Sequence, residues 1–230
     1  MRGTRYGVPS IVVWNHRHVN DSMSRTLIYF PIIHTQADMG TLGNAIQQST
    51  IRKLGRRGTR QKAKVIDNMW AEIERKIDSL ALSYEKVRLY QDGLPVCGRE
   101  VQIVTELAKA GGSNHQLLLR FMDKGATIMG TESLELLMEE YALVQGIWDI
   151  PDLSKRSRVE ASQKASFDSL LKRRDQFIAR RINDTLTSSE TSILFLGMLH
   201  SVADKLGGDI RVIYPLKQPF SDRGKNEVNK

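Results

Sequence analysis

Two apolar segments that end on histidine constrain what this 230-residue chain can fold into. The segment ILFLGMLH occupies residues 193–200, and the similar segment LIYFPIIH occupies residues 27–34. Runs of this length, rich in leucine, isoleucine and phenylalanine, predict buried β-strands. Two buried strands that deliver His34 and His200 at equivalent carboxyl ends suggest that both histidines belong to one site.

Shorter strand patterns alternate with helical patterns along the rest of the chain. Apolar runs at residues 87–90, 126–129 and 210–214 predict strands. Apolar residues spaced three or four apart predict helices at residues 62–85, 99–110 and 114–124, and from 131 or 133 onward. This alternation predicts an α/β fold with a central mixed sheet and helices on both faces. We expect one domain over residues 1–216, with a long basic helix near 154–186, and a flexible polar tail over 217–230.

The composition is that of a soluble globular protein. Hydrophobic residues make up 40% of the chain and charged residues 26%, both ordinary values. No apolar run reaches the roughly 18 residues of a membrane span, and the first residues lack the apolar core of a signal peptide. We therefore expect a cytoplasmic protein without membrane association. The single cysteine, Cys97, cannot form an internal disulfide.

The formal net charge of +8 raises the question of an anionic partner. Much of this charge lies in residues 52–64, which contain Arg52, Lys53, Arg56, Arg57, Arg60, Lys62 and Lys64. Two interpretations stay open: a solvated loop and helix entrance, or a patch that binds phosphate or nucleic acid. The run has no interleaved aromatic residue, which disfavours stacking on single-stranded bases. Nucleic acid is therefore the weaker expectation from the sequence.

Four predicted strands end beside a polar side chain that can do chemistry: His34, Asp92, Glu132 and His200. Ligands of open α/β sheets bind beyond the carboxyl ends of the strands, so the sequence predicts a crevice there. Imidazoles can bind a metal or shuttle protons, and carboxylates can be ligands, general bases or groups that orient a histidine. Arg173 or Arg174, ahead of the last strands, could bind a substrate carboxylate or stabilise an oxyanion.

Each of these residues also has a purely structural interpretation. A strand-end histidine is often only hydrogen-bonded, and Asp92 in the sequence QDG could simply shape a turn. Glu132 could be a carboxylate favoured in the first turn of a helix by the helix dipole. The repetition of polar residues at four strand ends favours the functional interpretation.

The motifs together resemble the TraB/ChaN/erythromycin-esterase-like superfamily, which includes the Tiki metalloproteases. Its members carry two strand-end Gly-x-x-His motifs, an acidic residue after a middle strand, a Gly-x-Glu helix start and an arginine helix. Gly197-Met198-Leu199-His200 matches the second histidine motif, and Pro31-Ile32-Ile33-His34 matches the first with proline in place of glycine. Tyr90-Gln91-Asp92 stands in the acidic position with aspartate rather than the usual glutamate. Gly130-Thr131-Glu132 resembles the glutamate motif, and Arg174 to Ala179 resembles the arginine helix.

The resemblance implies a hydrolase, assisted by a divalent metal ion, that acts on a peptide, an ester or a similar carbonyl substrate. In such an enzyme His34, Glu132 and His200 would hold the metal or the attacking water. Asp92 would assist as a ligand or base, and Arg174 would stabilise developing negative charge.

Other functions stay open beside this one. The superfamily also includes a haem-binding lipoprotein, so the same scaffold could bind haem or another small ligand without catalysis. The basic residues make a nucleic-acid-associated protein a third hypothesis. A homodimer is a further expectation, because Val159 and Phe167 lie among polar residues in the first half of the long helix.

Overall fold

Six strands form one sheet in the computed structural model, which describes residues 12–14, 25–33, 43–150 and 152–216. The strands are β1 (Val12–Trp14), β2 (Arg25–Ile32), β3 (Val87–Gln91), β4 (Thr127–Met129), β5 (Thr191–Gly197) and β6 (Ile210–Tyr214). Their order across the sheet is β1-β6-β2-β5-β3-β4. The five strands from β6 to β4 are parallel, and β1 is antiparallel to β6. The sheet is therefore mixed, as the sequence predicts.

Helices cover both faces of this sheet. They are α1 (Gly43–Asp78), α2 (Glu100–Lys109), α3 (Ser113–Asp123), α4 (Leu134–Trp148), α5 (Leu153–Ser162) and α6 (Lys164–Thr185), with short 3₁₀ helices at Tyr84–Lys86 and Ala203–Lys205. The core on one face combines strand residues such as Phe30 and Phe195 with Trp70 of α1 and Phe121 of α3. The core on the other face is built with α6. The predicted α/β fold with helices on both faces is confirmed, and no described helix is both long and apolar enough to span a bilayer.

The two histidine-bearing segments contribute neighbouring strands at the centre of the sheet. β2 and β5 pair in parallel, with Phe30 opposite Phe195 and Ile32 opposite Gly197. This register differs by one residue from the alignment of the two segments, which sets Phe30 beside Leu196. Because side chains alternate between faces, the observed register places both phenylalanines in the same core, where their rings stack at 5.7 Å. Packing of large rings therefore decides the register.

Pro31 lies in a central strand, although a proline in this segment predicts an edge strand or a bulge. β6 pairs only with residues Arg25 to Ile28, so the end of β2 has a single paired neighbour, β5. The carbonyl of Ile32 accepts a hydrogen bond from Met198 at 3.3 Å, so the backbone polar groups of Ile32 point toward β5. Those of Pro31, the preceding residue, point toward the side of β6. The proline nitrogen therefore interrupts no pairing with β6.

The long helix expected near 154–186 is divided into α5 and α6. Gln163 separates them, with φ −90° and ψ 0°. The hydroxyl of Ser162 donates to the carbonyl of Val159 at 2.9 Å, and the backbone N–H of Gln163 donates to the same oxygen at 2.9 Å. A hydroxyl that competes for a helix carbonyl weakens the helical turn, which accounts for the break. The tail expected at 217–230 lies outside the described residues.

The loops that follow β3 and β4 are joined by backbone hydrogen bonds. The carbonyl of Leu94 accepts from Thr131 and Glu132 at 2.9 and 3.0 Å, and the carbonyl of Glu132 accepts from Val96 at 2.9 Å. A Cβ atom on Gly130 would lie 2.7 Å from the Cα of Val96, closer than such atoms approach. Glycine at this position therefore permits the contact between the two loops, and this contact sets Asp92 and Glu132 side by side.

Gly130→Ala is expected to destabilise the protein by about 1–3 kcal/mol, because backbone atoms must move to admit the methyl group. Gly146→Ala is the matched control, since Gly146 lies in α4 with open space around its Cα. In that helix interior the added methyl should instead stabilise by about 0.5–1 kcal/mol. Urea unfolding of both variants checks the prediction, and equal effects on the free energy of unfolding would contradict it.

Candidate functional site

Arg174 of α6 joins the polar residues at the carboxyl ends of β3 and β4. Its Nε donates to Oε2 of Glu132 at 2.6 Å, and its Nη2 donates to Oε1 of Glu132 at 2.6 Å. The same Nη2 donates to Oδ1 of Asp92 at 3.0 Å. The three side chains are buried. The guanidinium therefore binds Glu132 through two parallel hydrogen bonds, the bidentate geometry that makes arginine–carboxylate pairs strong. A third hydrogen bond holds Asp92 beside Glu132.

Backbone N–H groups at neighbouring strand ends fix the same two carboxylates. Gly93, in the turn after β3, donates to Oε1 of Glu132 at 2.8 Å. Gly197, the last residue of β5, donates to Oδ2 of Asp92 at 2.7 Å. Gly93 has a φ of 75°, a conformation that favours glycine. The Glu132 carboxylate, which follows β4, is therefore held by the turn after β3. The Asp92 carboxylate, which follows β3, is held by the end of β5.

His200 follows β5 by three residues and is oriented by Asp175 of α6. Its Nδ1 lies 2.6 Å from Oδ1 of Asp175, whose Oδ2 accepts from the backbone N–H of Ser201 at 3.0 Å. In the tautomer that donates from Nδ1 to this carboxylate, Nε2 carries the lone pair. Nε2 lies 3.6 Å from Oδ2 of Asp92, too far for a hydrogen bond. Nε2 of His200 therefore faces the Asp92 carboxylate.

A further carboxylate comes from α4. Oε1 of Glu140 lies 2.8 Å from Nη1 of Arg174, so the guanidinium contacts carboxylates from three separate segments. One arginine thus faces Asp92, Glu132 and Glu140, while Asp175 pairs with His200. Four carboxyl groups therefore lie around one guanidinium and one imidazole.

The excess of carboxylates in a buried cluster changes proton affinities. Burial raises the pKa of Glu132 above its usual range, the hydrogen bonds from Arg174 oppose the rise, and the charge of Asp92 adds to it. Burial lowers the pKa of Arg174, but the hydrogen bonds and charge of Glu132 and the charges of Asp92 and Glu140 outweigh it, so this pKa lies above its ordinary value. Burial, with nearby Tyr214, Asp92 and Asp175, also raises the pKa of Tyr29. Arg174 therefore stays charged and Tyr29 stays a neutral phenol.

Asp92, Glu132 and His200 are placed so that they could hold a metal ion. One candidate ligand atom from each lies within 4.8 Å of the others. The 3.6 Å between Nε2 of His200 and Oδ2 of Asp92 is close to the roughly 3.4 Å between two ligands of a tetrahedral ion with bonds of about 2.1 Å. A histidine whose second nitrogen is held by a carboxylate is the usual arrangement around such ions. A nitrogen and oxygen donor set of this kind suits zinc or another divalent transition ion.

The structure brings together four of the five residues predicted to form the site: Asp92, Glu132, Arg174 and His200. His34 lies outside the described residues. Arg173, the alternative to Arg174, pairs instead with Glu139 at the surface. The metal set predicted from the sequence was His34, Glu132 and His200, and the group that the structure places together includes Asp92 with the last two.

Sequence reasoning gave no role to Asp175 or Glu140. The sequence of α6 does contain a pattern that points to buried charge. Every fourth residue on one side of the helix is buried: Leu170, Arg174, Ile178 and Ile182. A charged residue on such an apolar line predicts a buried partner, and Asp175 occupies the adjacent line ending in Ala179. Glu140 offers no comparable signal, because it is one of two consecutive glutamates in a surface helix.

Comparison of the chain with family models, with curated proteins and with solved structures found no match. The resemblance to the TraB/ChaN/erythromycin-esterase-like superfamily therefore rests on the motifs alone.

Arg174→Met is expected to cost about 3–5 kcal/mol of stability, because it leaves Glu132 and Asp92 buried without their counter-charge. Arg173→Met provides a control on the next residue, since its ion pair with Glu139 is largely solvated and worth less than about 1 kcal/mol. Urea unfolding at neutral pH measures both values. A similar small loss for the two variants would show that the buried network contributes little to stability.

The raised pKa of Glu132 predicts a pH dependence with a definite sign. A carboxyl group whose pKa is higher in the folded protein than its ordinary value of 4.5 favours the folded state at low pH. That contribution is lost as the pH rises from 4.5 through the raised pKa. Glu132→Gln does not titrate, so the stability of the wild type relative to this variant should fall as the pH rises above 4.5. The free energy of unfolding of both proteins, measured from acidic to neutral pH, tests this. A wild type that becomes more stable relative to Glu132→Gln as the pH rises would refute it.

Proposed function

We propose that this protein is a hydrolase, assisted by a divalent metal ion, that acts on a peptide, an ester or a similar carbonyl substrate. The observation that carries the proposal is the position of His200. Its Nε2 is aimed by Asp175 toward Oδ2 of Asp92, at a distance that suits two ligands of one ion better than a hydrogen bond. A carboxylate oxygen of Glu132 lies within 4.8 Å of a candidate ligand atom on each of these two residues.

Asp92, Glu132 and His200 would hold the metal ion, and His34 stays a proposed further ligand. A bound ion supplies a water of lowered pKa and polarises the substrate carbonyl. With its Nδ1 hydrogen-bonded to Asp175, His200 would present Nε2 as a ligand or as a proton acceptor. A raised pKa makes the Glu132 carboxylate a better proton acceptor near neutral pH.

Arg174 is better suited to hold the carboxylates than to bind a substrate oxyanion. Its Nε and Nη2 donate to Glu132 and Asp92, and its Nη1 faces Glu140. A guanidinium has five N–H groups, and these contacts engage at least four of them. The role proposed for Arg174 is therefore to offset the charge of Asp92 and Glu132 and to fix their position.

His200→Ala is expected to abolish zinc or manganese binding and with it the hydrolysis of a panel of p-nitrophenyl esters and fluorogenic peptides. Asp175→Asn should weaken metal binding about 10- to 100-fold, because the orienting carboxylate is lost. Ser201→Ala is the matched control, since its backbone N–H still donates to Asp175. Bound metal is measured by elemental analysis after dialysis, and thermal unfolding verifies that each variant is folded.

Metal binding and turnover that persist in His200→Ala would refute the proposal. Chelation of the wild-type protein should remove activity, and added zinc or manganese should restore it. A Soret band on addition of haemin, without hydrolysis of any substrate, would instead support a ligand-binding protein that uses the same residues.

A further inference from the structure

A cationic surface lies on the second part of α1, after a break at Gly55, whose φ is 67°. Its residues, which we call the α1 cationic surface, are Arg56, Arg57, Arg60 and Lys64, and all four are exposed. An α-helix turns by about 100° and rises by about 1.5 Å per residue, so these four residues lie within an arc of about 100° over about 12 Å of helix. The four cations therefore form a short stripe on one side of the helix.

This part of α1 extends beyond the hydrophobic core. The helix is anchored further along by Ile66, Trp70 and Ile73, which are buried against the sheet. Lys62 and Ala63 lie one turn before Ile66 on the same side of the helix, yet both are exposed. The cationic stripe is therefore presented to solvent on a helical projection whose base is fixed.

Interactions within the described part of the chain do not account for these cations. No ion pair joins any of the four to a carboxylate of a described residue. The first acidic residue after Gly55 is Asp67, so residues 56–64 carry five positive charges and no negative charge. Arg56 and Arg57 also begin a helix, where the helix dipole disfavours positive charge. Mutual repulsion and the dipole both oppose this arrangement in the free protein.

We propose that the α1 cationic surface binds the phosphate backbone of double-stranded nucleic acid. A linear array of exposed cations complements a regular array of phosphates. The segment from residue 55 to residue 64 contains no aromatic residue, so it offers no platform for unpaired bases. Ala63 is its single apolar side chain, and a helix that binds a lipid surface needs a broad apolar face. These features favour a nucleic-acid duplex over a single strand or a membrane, and they are independent of the proposed hydrolase.

The test uses the full-length protein and a fluorescent duplex DNA of about 20 base pairs with arbitrary sequence, followed by anisotropy. Four phosphate contacts predict that affinity falls about 150-fold between about 50 and about 200 mM salt. The triple variant Arg56→Gln, Arg60→Gln, Lys64→Gln keeps one contact, so its affinity should fall only about 3- to 4-fold over this range. Glutamine is a good helix former, and circular dichroism verifies that α1 is retained.

A control variant removes the same charge from other exposed positions through Lys155→Gln, Arg158→Gln and Lys172→Gln. It should keep the salt dependence of the wild type. If both triple variants lose the same amount of affinity, binding follows net charge and the proposal is overturned. It is also overturned if the α1 variant binds the duplex as tightly as the wild type. Tighter binding to vesicles of anionic phospholipid than to the duplex would also overturn it. Failure of this test leaves the hydrolase proposal untouched, because none of these substitutions alters the site around Arg174.

Discussion

The buried ion pair between Arg174 and Glu132 is the interaction on which the arrangement of the site depends. Moving a guanidinium and a carboxylate out of water costs several kcal/mol per ion, so such a pair is tolerated only where its hydrogen bonds are complete. Here α6 positions the arginine, and the joined loops after β3 and β4 position the glutamate. Gly130 lets those loops approach closely enough. The packing of α6 against the joined loops therefore determines how Asp92 and Glu132 are held beside Arg174.

The ion pair engages only part of the carboxylate cluster. Arg174 offsets part of the charge of Asp92, Glu132 and Glu140, and its N–H groups are largely used in doing so. Oδ2 of Asp92 accepts one backbone hydrogen bond and turns toward Nε2 of His200. A nitrogen and an oxygen that can both act as metal ligands thus face each other among several carboxyl groups. This convergence gives the proposed metal site its physical basis.

Much of the fold could be predicted from the sequence, because buried strands and amphipathic helices have different periods. Where prediction failed, long-range packing overrode a local pattern. An alignment of the two histidine-bearing segments does not give the register of β2 and β5, in which Phe30 stacks on Phe195. Pro31 is accommodated in a central strand because β6 ends its pairing before reaching it. The sequence also assigned no role to Asp175 or Glu140, since a helix sequence does not show which side chain each residue contacts.

The sequence alone determined which residue types stand at the strand ends, and with them the location of the site. The rule that parallel strands present their carboxyl ends at one edge was enough to group Asp92, Glu132 and His200. Tertiary structure decided which arginine serves them, because the rotation of α6 about its axis buries Arg174 and leaves Arg173 at the surface. It also decided how many carboxyl groups contact Arg174, because Glu140 reaches across from α4. Distances between elements far apart in sequence set both outcomes, and a local pattern carries no information about them.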